Sequence, residues 1–160
     1  MPRSLPSHGP DLRILLIEDN EDDALLLIRM ISQSGYVVDH ARVDSRPGLM
    51  AALETSTWDL VLADYAMPGF SGLEALDCVR GTGLDIPFIV VSGTIGEDGA
   101  VSMMKAGAND YLLKDQLTRL VPAVERELQE ARSRQERKKA EQDLRLLGTA
   151  IEQAGEMVII

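Results

Sequence analysis

The chain is poor in several residue types, and each shortage excludes a class of protein. It has one cysteine, Cys78, so no intrachain disulfide can form, which suits a reducing cytoplasm. No apolar run reaches membrane-spanning length, and residues 1–10, with three prolines, lack the apolar centre of a signal peptide. Basic residues are scarce: 16 Lys and Arg stand against 26 Asp and Glu, for a net charge of −10. Between residues 11 and 115 there are 18 acids and only 7 bases. Such a surface repels nucleic acid and anionic membrane, so direct binding to either is not expected. Histidine is scarce too, with only His8 and His40. No GxxxxGK[ST] phosphate loop occurs.

What is present is a regular alternation. Five short apolar runs recur at residues 13–18 (RILLIE), 36–43 (YVVDHARV), 60–64 (LVLAD), 88–92 (FIVVS) and 110–114 (DYLLK). Three are dense in Ile, Val and Leu rather than alternating, as in strands of a parallel sheet covered on both faces. Helical patterns separate them. Ala24, Leu25, Leu27, Ile28 and Ile31 form a face that ends at Gly35, and Pro47 sits in the first turn of the next helix. Residues 71–80 and 98–106 supply two more helices, the latter stopped by Gly107. The pattern predicts a five-stranded α/β domain with helices on both faces, whose ligands bind at the carboxyl ends of the strands.

The last helical pattern starts near Leu117 and is expected to reach about Leu147. Leu117, Leu120, Val121 and Val124 suit docking on the sheet. Residues 133–139 (SRQERKK) have no apolar face, and a new stripe follows at Ala140, Leu144, Leu147 and Ile151. This reads equally as a broken coiled coil or as one solvated helix. Met157 to Ile160 (MVII) reads as the opening of a strand. The expected organisation is a disordered lead at 1–10, a domain at 11–131, a helical linker at 132–147 and the start of a further domain at 148–160.

Chemistry gathers at the strand ends. Glu18 and Asp19 close the first run and Asp64 closes the third. Three carboxylates in one crevice are costly without a cation, and hard oxygen ligands favour Mg²⁺. Glu18 and Asp19 would also serve merely to cap the next helix, as Asp19 or Asn20 can. Ser92 ends the fourth run and Lys114 the fifth. A hydroxyl and an ammonium there can hold the oxygens of a phosphoryl group, or be a turn hydroxyl and a surface lysine. Gly93, Gly96 and Gly99 follow the fourth strand, not the first, and lack the dinucleotide spacing.

On Glu18-Asp19, Asp64 in DYAMPGFSG, Ser92 in VVSGT and Lys114 closing AGANDYLLK, residues 11–131 resemble the receiver domains of bacterial response regulators. The resemblance implies a flavodoxin-like (βα)5 fold, strand order 2-1-3-4-5, with an extended C-terminal helix. It implies Asp64 as phosphoacceptor from a histidine kinase or phosphotransfer protein. Mg²⁺ (or Mn²⁺) would be held by Asp19, Asp64 and the backbone carbonyl of Ala66, with Glu18 acting through a metal-bound water. Lys114 and Ser92 would hold phosphoryl oxygens, and Ser92 and Tyr111 would switch the face made by helix 4, strand 5 and helix 5. A slow phosphoryl cycle is implied rather than turnover, since Ala66 stands where an aspartate-nucleophile phosphatase carries its second acid. Ala66 and Thr94 flank the acceptor. Two departures stand out. Lys114 is followed by Asp115 where the family has proline, and a cis bond without proline costs about 3 kcal/mol, so the bond is expected trans or strained. Ser71 replaces a frequent acid and alters a helix cap. Residues 144–160 look like the start of a PAS sensory domain, and helix pairing across residues 116–147 would give a homodimer. The alternative is a receiver-like interaction module that is never phosphorylated.

Overall fold

The computed structural model of the chain describes residues 9–93 and 96–158. Thr94 and most of the lead at 1–10 lie outside the described residues, as do Ile159 and Ile160. All five apolar runs are strands: β1 (Asp11–Ile17), β2 (Val37–Val43), β3 (Leu60–Ala63), β4 (Phe88–Ser92) and β5 (Asp110–Leu113). They are parallel and lie in the order β2-β1-β3-β4-β5. Four helices alternate with them: α1 (Glu21–Gln33), α2 (Arg46–Thr55), α3 (Gly72–Gly81) and α4 (Glu97–Lys105). A 3-10 turn (Leu117–Arg119) then leads into α5 (Leu120–Val158).

The dense hydrophobic runs have the burial that covered strands require. In β1, Ile14 and Leu16 face one layer with Leu62, Ile89, Val91 and Leu112, covered by Leu27 and Ile31 of α1 and Leu120 and Val124 of α5. Leu15 and Ile17 face the other, with Val61, Phe88 and Val90 under Leu49 of α2, Leu76 of α3 and Met103 of α4. The edge strand β2 is largely exposed and carries Asp39, His40 and Arg42, charge and polarity that discourage edge pairing.

Local chemistry places the helix ends. Asn20 caps α1 by accepting from the Asp23 amide at 3.0 Å, and Ser71 caps α3 by accepting from Glu74 at 3.2 Å. Ser71 thus fills the capping role expected of it. Gly35, one residue past the C-cap of α1, has φ +114°, a conformation that glycine adopts without a steric penalty. Trp58 anchors the end of α2, its indole N–H donating to the Ala52 carbonyl at 2.9 Å. Cys78 is half-buried on α3.

Two expectations are settled or corrected here. No peptide bond among the described residues is cis, so Lys114–Asp115 is trans. Of the strand expected at residues 157–160, Met157 and Val158 instead continue α5, which extends eleven residues beyond the Leu147 limit read from the sequence, and Ile159 and Ile160 lie outside the described residues. The apolar run there favours a strand locally, but adding a residue to an existing helix needs no new nucleus. The chain divides into two compact units, one ending at Leu128 and one beginning at Gln129. Within the second, Leu144, Leu147 and Ile151 are all exposed, at 58 to 68%.

Candidate functional site

Strand order brings the carboxyl ends of β1 and β3 side by side, and the site is built there. The Glu18 amide extends the β1–β2 ladder by donating to the Val43 carbonyl at 3.0 Å, and the Asp64 amide ties β3 to β1 by donating to the Ile17 carbonyl at 2.8 Å. Both side chains are thereby fixed one residue beyond their strands. Glu18 and Asp64 are buried and Asp19 is exposed. One carboxylate oxygen from each of the three lies within 4.8 Å of the others. Three hard oxygen donors at that separation fit Mg²⁺ or a similar divalent cation.

Lys114 closes the crevice from β5. Its backbone N–H donates to the Ser92 carbonyl at 2.9 Å, which holds the ends of β4 and β5 together. Its ammonium lies 3.1 Å from Glu18 Oε2, 3.3 Å from Asp64 Oδ2 and 2.8 Å from Asp23 Oδ2. Ser92 is buried at the last position of β4. Tyr111 lies on β5 opposite Val90, half-buried, and its hydroxyl is enclosed with no hydrogen bond of ordinary geometry among the described residues. Ala66 is exposed two residues beyond Asp64.

The electrostatics follow from burial and charge. The Glu18 carboxyl is pushed up to about 7, mainly by burial, with Asp19 and Asp64 adding to the rise. The Asn20 N–H, 3.1 Å from Glu18 Oε1, and Lys114 oppose it. Burial draws the Lys114 ammonium down, but Asp23, Glu18 and Asp64 outweigh it and leave it above the ordinary lysine range. Burial also raises the Tyr111 phenol, against a smaller opposing pull from the nearby Ser92 hydroxyl.

Of the site residues expected from the sequence, Glu18, Asp19, Asp64, Ala66, Ser92 and Lys114 therefore stand at or just beyond the carboxyl ends of β1, β3, β4 and β5, while Tyr111 lies within β5. Two were missed. Asp23, on the first turn of α1, makes the shortest contact to Lys114, across 91 positions of sequence. Gly72 is the other: a Cβ there would lie 2.5 Å from the Asp64 carbonyl oxygen and 2.9 Å from Tyr65 Cα. The start of α3 packs directly on the backbone of Asp64, and the Gly72 amide donates to the Tyr65 carbonyl at 2.8 Å. The second glycine of PGFSG was the available signal.

An open parallel sheet with an acidic, cation-sized crevice at its switch point and a lysine across it defines a flavodoxin-like α/β domain whose site lies at the carboxyl ends of its strands. Comparison with known proteins makes the assignment specific. The profile of the response regulator receiver domain matches residues 14–125, most of the chain, and the protein belongs to that family. Over 103 residues it is 37% identical to the transcriptional regulatory protein HprR of Escherichia coli (strain K12) and 36% identical to DltR of Streptococcus agalactiae serotype III (strain NEM316). Each match covers 64% of this chain and 45% of the relative, so the chain corresponds to about half of either protein. The crystal structure of FixJ-N, 29% identical, superposes with a TM-score of 0.63 over 74% of this chain and 94% of its own. A response regulator receiver domain protein from Clostridium thermocellum, 26% identical, gives 0.66 over 76% and 97%.

Proposed function

We propose that Asp64 accepts a phosphoryl group from the phosphohistidine of a histidine kinase or phosphotransfer protein, and that this phosphorylation is the signal. The observation that carries the reading is the convergence of the Glu18, Asp19 and Asp64 carboxylates within 4.8 Å, with the Lys114 ammonium 3.3 Å from Asp64. An Asp64 oxygen attacks phosphorus as the P–N bond to the donor histidine breaks, and the donor leaves as neutral imidazole, keeping the proton already on its other ring nitrogen. Asp19, Asp64 and the Ala66 carbonyl would hold Mg²⁺ (or Mn²⁺), with Glu18 beside them. The cation supplies positive charge for the equatorial phosphoryl oxygens in the transition state. Lys114 pairs with one phosphoryl oxygen and Ser92 donates to another.

Switching is proposed to start from Ser92. When its hydroxyl is drawn to the phosphoryl group, it shifts relative to the enclosed Tyr111 hydroxyl, and the surface of α4, β5 and α5 is biased toward a second arrangement. The output runs through α5, by pairing of two copies or by a PAS-like domain that starts near residue 148. The named relatives are transcriptional regulators, but the acidic surface of this chain favours control of a partner domain over direct contact with DNA. No helix among the described residues is long and apolar enough to cross a membrane, and the single thiol suits a cytoplasmic protein.

The test is intact mass after incubation with acetyl phosphate and Mg²⁺, run beside Asp64→Asn. One phosphoryl adduct on the wild-type chain, labile to alkali and absent from the variant, is expected. No adduct on the wild type would leave a phosphorylation-independent interaction module.

A further inference from the structure

The Lys114 ammonium sits on two of the three carboxylates that a divalent cation would need. It lies 3.1 Å from Glu18 and 3.3 Å from Asp64, so ammonium and cation compete for the same two carboxylates. Its shortest contact, 2.8 Å, is to Asp23, which stands outside the cation-sized cluster. The local backbone explains why Asp23 is available. In a reciprocal capping box, the acid three residues into the helix turns back to the amide of the N-cap residue. Here the Asn20 amide is already taken by Glu18 Oε1 at 3.1 Å, while the Asp23 amide is satisfied by Asn20 Oδ1 at 3.0 Å. The Asp23 carboxylate is left to reach across to β5. An ammonium has three donors, and one of them is committed to a carboxylate that the cation does not use.

We propose that Asp23 is a positioning residue that gives Lys114 an alternative partner and so lowers the competition between the lysine and the divalent cation for Glu18 and Asp64. The proposal rests on the cation reading of the site and deepens it. With the cation in place Lys114 remains over the crevice, held by Asp23, with its other donors free for an incoming phosphoryl oxygen. Without Asp23 the ammonium settles more firmly on Glu18 and Asp64, and the cation must displace it.

The experiment is calorimetric titration with Mg²⁺ of the wild type, Asp23→Asn, Lys114→Met and the double variant, at physiological salt to screen distant charge. Asp23→Asn is expected to weaken Mg²⁺ binding roughly threefold to fivefold, the size of a part-exposed ion pair. Lys114→Met is expected to tighten it, and Asp23→Asn added to Lys114→Met is expected to change it little. Circular dichroism verifies folding; Asp23 is part-exposed, and the Asn20 cap uses its backbone amide rather than its carboxylate. Unchanged or tighter binding in Asp23→Asn would overturn the proposal. So would a loss that persists undiminished without Lys114, since Asp23 would then act only through its own charge. A wild-type chain that binds no Mg²⁺ would overturn the cation reading itself, and this role with it.

Discussion

Glu18 carries a cost in the metal-free protein that can be measured through pH. Its carboxyl is buried beside Asp19 and Asp64, and the pKa rises from 4.5 to about 7. Ionising it in place therefore costs roughly 3 kcal/mol at most, at about 1.4 kcal/mol for each tenfold change in proton affinity. The folded state holds this proton more tightly than the unfolded chain does. The resulting stabilisation is complete below about pH 4.5 and is lost as pH rises toward 7. Glu18→Gln keeps the shape and never ionises. In urea denaturation without Mg²⁺, the variant should gain on the wild type between about pH 4.5 and pH 7, and the gap should then level off at roughly 2–3 kcal/mol. Adding Mg²⁺ should narrow the gap at pH 8 more than at pH 5, because binding to the ionised wild-type site stabilises it by mass action. A gap that does not change with pH, or a wild type more stable than the variant at pH 8, would refute the reasoning.

Two further outcomes follow from the packing and the exposed stripe. Gly72→Ala puts a Cβ 2.5 Å from the Asp64 carbonyl oxygen, against backbone that cannot yield as a side chain does. It should cost about 1–3 kcal/mol by thermal unfolding and reduce phosphoryl uptake by Asp64. The paired change Leu144→Glu and Leu147→Glu falls on exposed side chains of α5, so the unfolding free energy of the sheet domain should stay within about 0.5 kcal/mol of the wild type. If α5 pairs two copies, light scattering should show the dimer lost, and an unaltered dimer would place the contact elsewhere.

Much of this protein is legible along one dimension. A strand buried on both faces must be apolar at nearly every position, so runs such as LVLA and FIVVS announce themselves without any knowledge of their neighbours. Once five such runs alternate with helices, the residues just beyond them are candidates, and Glu18, Asp64 and Lys114 fall one residue past β1, β3 and β5. Asn20, Ser45 and Ser71 cap their helices through contacts three residues away, which local spacing can reveal.

Other features depend on distances between segments far apart in sequence. Asp23 looks like one more acid in EDNEDD until the end of β5 is brought against α1, and only then does it hold Lys114. Gly72 looks like an ordinary residue at the start of a helix until α3 is laid on the backbone of Asp64. The run at residues 157–160 suggests a strand, whereas its described part, Met157 and Val158, extends α5. Local pattern determines which faces are apolar and where helices begin, because those depend on neighbours within a turn. Side-chain pairing across the crevice and the close backbone approach at Asp64 were decided by tertiary structure, because ion pairs and steric limits act through space and sequence separation does not measure it.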